Sequence, residues 1–380
     1  MTDTLGVAIA GCGIIAYTHA NAIARIPALR VVALVDVDAA AAALLADHIA
    51  GHDRPKPATW GSLSAAIAAG GVDVVVICTP SGLHVSLAAE SLAAGAHVVI
   101  EKPLDVSLPR AREIARLASA AATSGLVATV ISQHRFDPSS RVVHAAVQAG
   151  DFGRLTSGIA SIAWWRDQDY YDSGAWRGTW ELDGGGAAMN QGVHTIDLLL
   201  WMFGEPVDVS ARTATLAHDR IEVEDTLVAT VTFASGALGV IHATTAAYPS
   251  VGTRLQVHGS GGSAVIEEDQ LLYFSSSASG QEGNQAASVV PPEDLRGNPR
   301  SVDTFVDGHG RQYLDFVAAI GSRRPPLVSV EDALLALAVI RALYLSQTLN
   351  RTVAVAEVLD GSLDAVEVHT GSGPSTRPTA

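Results

Sequence analysis

Val7-Ala8-Ile9-Ala10-Gly11-Cys12-Gly13-Ile14-Ile15-Ala16 is the stretch that decides the fold. A short apolar run leads into a G-x-G-x-x-A pattern, and helical sequence follows from about residue 17 to 26. Gly11 permits a tight turn, Gly13 lets the backbone approach a pyrophosphate, and a small residue at 16 lets helix and strand pack closely. The helix N-terminus then offers N–H groups and a favourable dipole to phosphate, which places Ile14 and Ile15 beside it. A second apolar run, Arg30-Val31-Val32-Ala33-Leu34-Val35, ends at Asp36. An acid at this distance past the glycines, closing the second strand, is placed to bond a ribose 2′-hydroxyl. It would repel a 2′-phosphate, so the pattern favours NAD over NADP.

The alternation of strand and helix continues. Residues 39–50 form an alanine-rich helix, 59–60 a short strand and 62–69 a short helix. Residues 72–78 are apolar except for Asp73, as expected of a strand buried on both faces. This strand ends at Thr79-Pro80-Ser81-Gly82-Leu83-His84, and a helix runs on to about residue 94. The strand His97-Val98-Val99-Ile100 is followed by Glu101-Lys102-Pro103, then by a helix at 110–124 and a strand at 126–131. Such a pattern predicts an α/β fold with a doubly wound, Rossmann-type parallel sheet. Gly11–Ala16, Asp36, Thr79–His84 and Glu101–Pro103 all fall at C-terminal strand ends, where open parallel sheets bind ligands. Lys102 has a further distinction. The chain carries 24 basic residues, of which only Lys56 and Lys102 are lysine. Lys56 lies in Arg54-Pro55-Lys56-Pro57, which reads as a surface turn. Lysine can trade protons near neutral pH where arginine cannot, so a lysine at a strand end is a candidate for chemistry.

Composition narrows the function. At 380 residues the chain has room for two domains, and 48% hydrophobic with 17% charged residues fits a globular protein with a large core. A net charge of −15 argues against nucleic acid or an anionic membrane as partner. Cys12 and Cys78, flanked by apolar residues, read as small buried hydrophobes. The N-terminus lacks the pattern of a signal peptide, and no apolar stretch reaches the roughly 18 residues of a membrane span, so a cytoplasmic location is expected.

After about residue 132 the pattern changes. Gln133 opens the closing segment Gln133-His134-Arg135-Phe136-Asp137-Pro138, and 141–148 reads as a helix. Antiparallel strands are predicted at 155–165, 207–216, 226–233, 236–244, 253–259 and 262–267. Residues 275–304 read as a long surface excursion, 330–349 as a helix packed on the sheet, and 370–380 as a disordered tail. The expected domains are therefore 1–131, for dinucleotide binding, and 132–369. The second holds a dense stretch: four of the six tryptophans lie within residues 164–180. Rings beside arginines suit a polyhydroxylated ring compound, whose C–H face they cover while polar groups bond its hydroxyls. Arg166, Tyr171, Trp176, Arg177 and His309 are the candidate pocket residues. Gly184-Gly185-Gly186 would let the backbone approach a ligand and start a helix carrying Asn190, His194 and Asp197 on one face. His194 is a candidate general base. No histidine–carboxylate cluster or Cys motif completes a metal ligand set, so no metal is expected.

Together Gly11-Cys12-Gly13-Ile14-Ile15-Ala16, Thr79–His84, Glu101-Lys102-Pro103 and Gly184-Gly185-Gly186…Asn190…His194…Asp197 resemble the glucose–fructose oxidoreductase/inositol dehydrogenase (Gfo/Idh/MocA) family of NAD(P)-dependent sugar and polyol dehydrogenases, over about residues 5–350. The resemblance implies a Rossmann domain followed by an α+β domain with a large open antiparallel sheet, through which members often form dimers or tetramers. It implies that Lys102 lies beside the nicotinamide and the reacting hydroxyl, that His194 acts in proton transfer, and that Thr79, Pro80, Leu83, His84, Glu101 and Gln133 border the cofactor. Inositol dehydrogenases carry aspartate where this chain has Asn190, and some members acting on sugar nucleotides carry asparagine. The expected activity is hydride transfer between a secondary hydroxyl of a sugar or polyol and NAD. Two alternatives are glycoside cleavage by transient oxidation and non-catalytic sensing of NAD and sugar.

Overall fold

The computed structural model describes residues 4–52, 54–290 and 302–371. The chain divides into two compact units, Met1–Phe136 with Asn298–Leu334, and Asp137–Gly297 with Leu335–Ala380. The boundary expected at 131/132 thus lies at 136/137, and a later segment returns to the first unit.

The first unit alternates β1 (Leu5–Ala10), α1 (Ile14–Ile23), β2 (Leu29–Val35), α2 (Ala39–Ala50), β3 (Ala58–Trp60), α3 (Leu63–Ala68), β4 (Val74–Ile77), α4 (His84–Ala93), β5 (His97–Ile100), α5 (Leu108–Ala122) and β6 (Ala128–Val130). The sheet has the order β3-β2-β1-β4-β5-β6, and every pair is parallel. Val74, Val75, Val76 and Ile77 of β4 are fully buried, as a central parallel strand requires. Asp38 caps α2 by accepting from the N–H groups of Ala40 and Ala41.

In the second unit α6 (Pro138–Ala149) leads to β7 (Leu155–Ala163), α7 (Gln168–Asp172), α8 (Ala187–Asn190) and α9 (Val193–Phe203). Then come β8 (Pro206–Ala214), β9 (Thr226–Phe233), β10 (Leu238–Thr244), β11 (Gly252–Gly259), β12 (Gly262–Glu267), β13 (Gln270–Ser276) and α10 (Ala286–Val289). The sheet order is β13-β12-β11-β7-β10-β9-β8, extended by β14 (Val353–Ala354), after which α13 (Val355–Leu359) follows. All pairs are antiparallel except β7 with β10. Helix α10 and the last two residues of β13 fall within what reads as an excursion in the sequence; residues 291–301 lie outside the described residues.

Helix α11 (Val302–Ser322) has no counterpart in the sequence expectation. Its apolar residues Val306, Tyr313, Phe316 and Ala319 join the first unit's core with Val7, Ile9, Ala20 and Ile23, which is why this segment belongs there. Gly308, Gly310 and Gly321 dilute the helical signal. Helix α12 (Val330–Leu349) matches its expected bounds. It is long and apolar enough to cross a membrane by length and composition, contrary to the expectation of no such stretch, but 56% of it is buried, as in a core helix. Of the expected tail, Thr370 and Gly371 are tied down: the Thr370 hydroxyl donates to the Glu222 carbonyl, and the Gly371 N–H to Thr213 Oγ1. The rest of it, 372–380, lies outside the described residues.

Candidate active site

The strand register of the first unit brings its motifs to one edge. Ala10 is level with Val35 of β2 and Ile77 of β4, Ile77 with Ile100 of β5, and Ile100 with Val130 of β6. Gly11, Asp36, Cys78-Thr79 and Glu101-Lys102 therefore leave the sheet side by side, at the C-terminal strand ends where a ligand is expected.

The glycines have separate tasks. Gly11 sits at φ +90°, and a Cβ there would lie 2.7 Å from the Cys78 carbonyl and the Thr79 nitrogen. It lets the turn after β1 pass the end of β4. A Cβ on Gly13 would meet nothing within 4 Å. Gly13 is the N-cap of α1 and supplies no side-chain acceptor, so the helix start faces open space with its N–H groups uncovered by a capping side chain. Asp36 closes the turn: Oδ2 accepts from the Cys12 N–H at 2.7 Å and Oδ1 from the Asp38 N–H at 2.8 Å. Ile14 and Val37 flank this edge and are more than 90% exposed, as uncovered walls of a ligand site would be. Ile15 is instead partly buried and packs on the core. Buried Thr79 Oγ1 and Gln133 Oε1 have no hydrogen-bond partner among the described residues. Open space at Gly13, a fixed carboxylate at Asp36 and polar atoms lacking partners fit a dinucleotide.

His84, expected along the cofactor, is buried as a brace: Nε2 lies 2.9 Å from the Thr79 carbonyl and Nδ1 3.0 Å from that of Pro103. It ties two strand-end motifs together. Pro80 and Leu83 are exposed. Glu101 is buried: its Oε2 accepts from the Lys102 N–H at 2.9 Å, and its Oε1 accepts from His19 Nε2 at 2.9 Å. Burial alone would push the Glu101 carboxyl up, but His19 and His309 outweigh it and hold it well below the carboxylate range. Lys102 is half-buried, whereas Lys56 is exposed and paired with Asp47. The thiols are inert: burial pushes Cys12 up to about 12 and Cys78 well above its ordinary value.

His309, a candidate pocket residue in the sequence, is 1% exposed and lies against Glu101 in the first unit. The sequence also shows no histidine–carboxylate cluster, yet folding gathers His19, Glu101 and His309 with ligand atoms within 4.8 Å of one another. The three are spread over three elements far apart in the chain, so no spacing rule could reveal them.

In the second unit several side chains take other places than expected. Asn190 ends α8, and His194 lies on α9, so the two do not share one continuous helix. Gly192 breaks it: its N–H bonds the Ala187 carbonyl at 2.8 Å, and a Cβ would lie 2.7 Å from the Ala188 carbonyl oxygen. Asn190 Nδ2 donates to Asp183 Oδ1 at 2.6 Å, and Asp183 Oδ2 accepts from the Gly178 N–H. His194 is half-buried and Asp197 buried. The triple glycine serves the protein's own packing. A Cβ on Gly185 would lie 2.4 Å from the Tyr344 hydroxyl, and one on Gly186 would lie 1.8 Å from the Glu224 carbonyl oxygen. Glu224 accepts from the Gly186 and Ala188 N–H groups, both at 2.9 Å, and from Tyr344 at 3.1 Å, so it anchors the start of α8. Burial pushes the Glu224 carboxyl up to about 7 against these donors.

Tyr171 is buried, its hydroxyl 2.8 Å from Thr245 Oγ1. The neighbouring Tyr170, not anticipated, is the organising ring: Arg166 and Arg177 stack on it at 4.8 and 4.3 Å, and its hydroxyl accepts from Arg177 Nη1 at 2.9 Å. Trp176 is 43% exposed with Arg177 over its ring. Behind them lies a second unanticipated pair. His218 Nδ1 is 3.0 Å from Asp225 Oδ2, and its Nε2 donates to the Arg166 carbonyl at 2.8 Å. Burial pulls His218 down, but Asp225 and the Arg166 carbonyl outweigh it and raise it above its ordinary value.

Comparison with known proteins agrees with this fold. A family model described as an oxidoreductase family with an NAD-binding Rossmann fold matches residues 5–131. One described as a GFO/IDH/MocA C-terminal domain matches residues 140–265. Inositol 2-dehydrogenase of Rhizobium meliloti is 27% identical over 357 residues, which are 93% of this chain and 100% of that protein. The WlbA dehydrogenase from Chromobacterium violaceum, crystallised with NADH and UDP-GlcNAcA, is 30% identical with a TM-score of 0.79, covering 93% of this chain and 97% of that one. An oxidoreductase domain protein from Kribbella flavida gives a TM-score of 0.84 at 25% identity, covering 93% and 100%.

Proposed function

This chain belongs to the GFO/IDH/MocA family of NAD-binding oxidoreductases, and on that premise we propose that it transfers a hydride between a secondary hydroxyl of a sugar, sugar derivative or polyol and NAD. The observation that carries this reading is the alignment of the glycine turn, Asp36, Thr79 and Lys102 along one strand edge of the first unit. NAD, when bound, takes up the hydride that leaves the carbinol carbon. Gly13 and the start of α1 receive its pyrophosphate, and Asp36 its adenosine ribose, which favours NAD over NADP. Lys102 donates to the reacting oxygen and stabilises the negative charge that develops there. His194 takes the hydroxyl proton as general base. Asn190, held by Asp183, orients and carries no proton. Arg166 and Arg177 stack on Tyr170, and Arg177 also lies over Trp176, a cluster of rings and guanidinium groups that supports assigning Arg166, Trp176 and Arg177 to the sugar.

Asn190 and the 30% identity to an enzyme crystallised with UDP-GlcNAcA support including sugar nucleotides among the substrates. The same reading takes the enzyme to be cytoplasmic and a homodimer or homotetramer. Val228, Leu238 and Val240 share one face of β9 and β10 and are 51, 60 and 43% exposed, an apolar surface suited to a second copy. Light scattering after gel filtration tests that assignment, and a monomer at micromolar concentration would remove it.

The decisive experiment is a panel of sugars, inositols, glycosides and UDP-sugars with NAD and with NADP, following reduced-cofactor absorbance. The expected result is net NADH from at least one free hydroxyl substrate. Glycoside cleavage without net NADH would favour transient oxidation instead, and strong activity only with NADP would overturn the role of Asp36.

A further inference from the structure

The buried cluster beneath Lys102 is the most informative group left over. Helix α11 packs on α1, and it brings His309 and Tyr313, one turn apart, against His19. His19 and Tyr313 are fully buried or nearly so, and His309 is 1% exposed. Tyr313 OH lies 2.7 Å from His19 Nδ1, and His19 Nε2 lies 2.9 Å from Glu101 Oε1. A carboxylate only accepts, so His19 donates through Nε2, and its Nδ1 accepts from Tyr313. Burial lowers His19 from its ordinary value and keeps it neutral, consistent with this tautomer. His309 Nδ1 is 2.8 Å from the Phe305 carbonyl, so that nitrogen must donate. Its Nε2 makes no hydrogen bond of good geometry among the described residues, yet it faces Glu101 Oε1 at 3.5 Å. Glu101 Oε1 thus takes the His19 hydrogen bond from α1 with His309 of α11 packed beside it, and Oε2 accepts from the Lys102 N–H.

We propose that His309, His19 and Tyr313 are positioning residues that act through Glu101 to fix the backbone on which Lys102 is presented. The proposal rests on the reading of Lys102 given above and adds what sets its orientation. The chemistry is local: with Oε1 bonded by His19 and His309 packed against it, the carboxylate cannot rotate, so the Lys102 N–H it receives fixes the peptide at 101–102.

The presence of only two lysines makes a direct test possible, because Lys56 is an internal reference. Trace acetylation followed by peptide mass spectrometry reads the labelling of Lys102 relative to Lys56 in the protein without added NAD. His309→Leu and His19→Leu should change that ratio about fivefold, the equivalent of losing one hydrogen bond. His309→Gln, which keeps a donor near the Nε2 position, should restore it. Turnover of His309→Leu should fall about 10–100-fold, as for a misplaced reacting group, while NAD affinity changes far less. A changed ratio with intact turnover would uphold the positioning and remove the catalytic role of Lys102. An unchanged ratio in folded His309→Leu overturns the proposal whatever turnover does. If that variant does not fold, Tyr313→Phe removes only a hydroxyl, and wild-type labelling and turnover there would be equally fatal. One equivalent of a transition metal in the purified protein would also overturn it, since the metal would then hold Glu101.

Discussion

The two regions that carry the candidate chemistry are built on opposite plans. In the first unit, functional groups stand at the ends of parallel strands, and beyond the tight turn at Gly11 the motif leaves space: a Cβ on Gly13 would touch nothing. In the second unit, two glycines of the Gly184-Gly185-Gly186 run are filled by the protein itself, Gly185 by Tyr344 and Gly186 by Glu224. One region keeps an opening for a ligand, while the other uses the same residue type to seat a helix start. A glycine-rich motif therefore has no meaning until one knows what lies opposite its missing Cβ.

The comparison can be broken at four points. Lys102→Ala should lower kcat by about 10²–10⁴-fold while NAD binding largely survives, and Lys56→Ala should leave steady-state rates unchanged. Near-wild-type turnover of Lys102→Ala on the true substrate would end its assignment. Gly186→Ala should cost about 3 kcal/mol or more in denaturant unfolding, because backbone cannot yield as a flexible side chain can. Gly13→Ala should leave stability within about 1 kcal/mol yet weaken NAD binding about tenfold by calorimetry; Asp36→Ala should also weaken NAD binding and narrow the gap between NAD and NADP, at a cost of about 1–3 kcal/mol in stability for the Cys12 N–H it leaves unpaired. The smallest effect concerns His218. Its folded value is raised, so its contribution is complete below the ordinary value of 6.5 and is lost as pH rises through the folded value. His218→Gln should lower the melting temperature by about 2–4 °C at pH 6 and by less at pH 9. An equal loss at both pH values would show that the pairing with Asp225 holds no proton of consequence.

Legibility tracked the range of the interactions. The β–α alternation, the bounds of α2 and α12 and the strands β9 and β12 could be read because each depends on the periodicity of its own residues. Gly11, Asp36 and Lys102 could be placed because a parallel strand fixes the position of the residues just past its C-terminal end. Helix α11 escaped because glycines interrupt its apolar face, and β13 because its serine-rich end resembles a loop. Tyr170 and Tyr171 are adjacent and chemically alike, and only the position of Thr245 decides which is buried as a brace. Glu224 and Asp225 sit in an unremarked acidic pair, and their importance comes from Tyr344 and His218.

The sequence by itself determined that the first unit is a parallel dinucleotide-binding sheet, where Asp36 and Lys102 stand on it, and that a largely antiparallel sheet follows. These are consequences of side-chain period and strand polarity, which act within a few residues. Only the tertiary structure decided that Glu101 is bonded by His19 with His309 beside it, that α11 completes the first core, and that Asn190 is tethered to Asp183. Each of those depends on groups brought together from distant parts of the chain, and hydrogen-bond geometry at about 3 Å is fixed by packing, which no local pattern encodes.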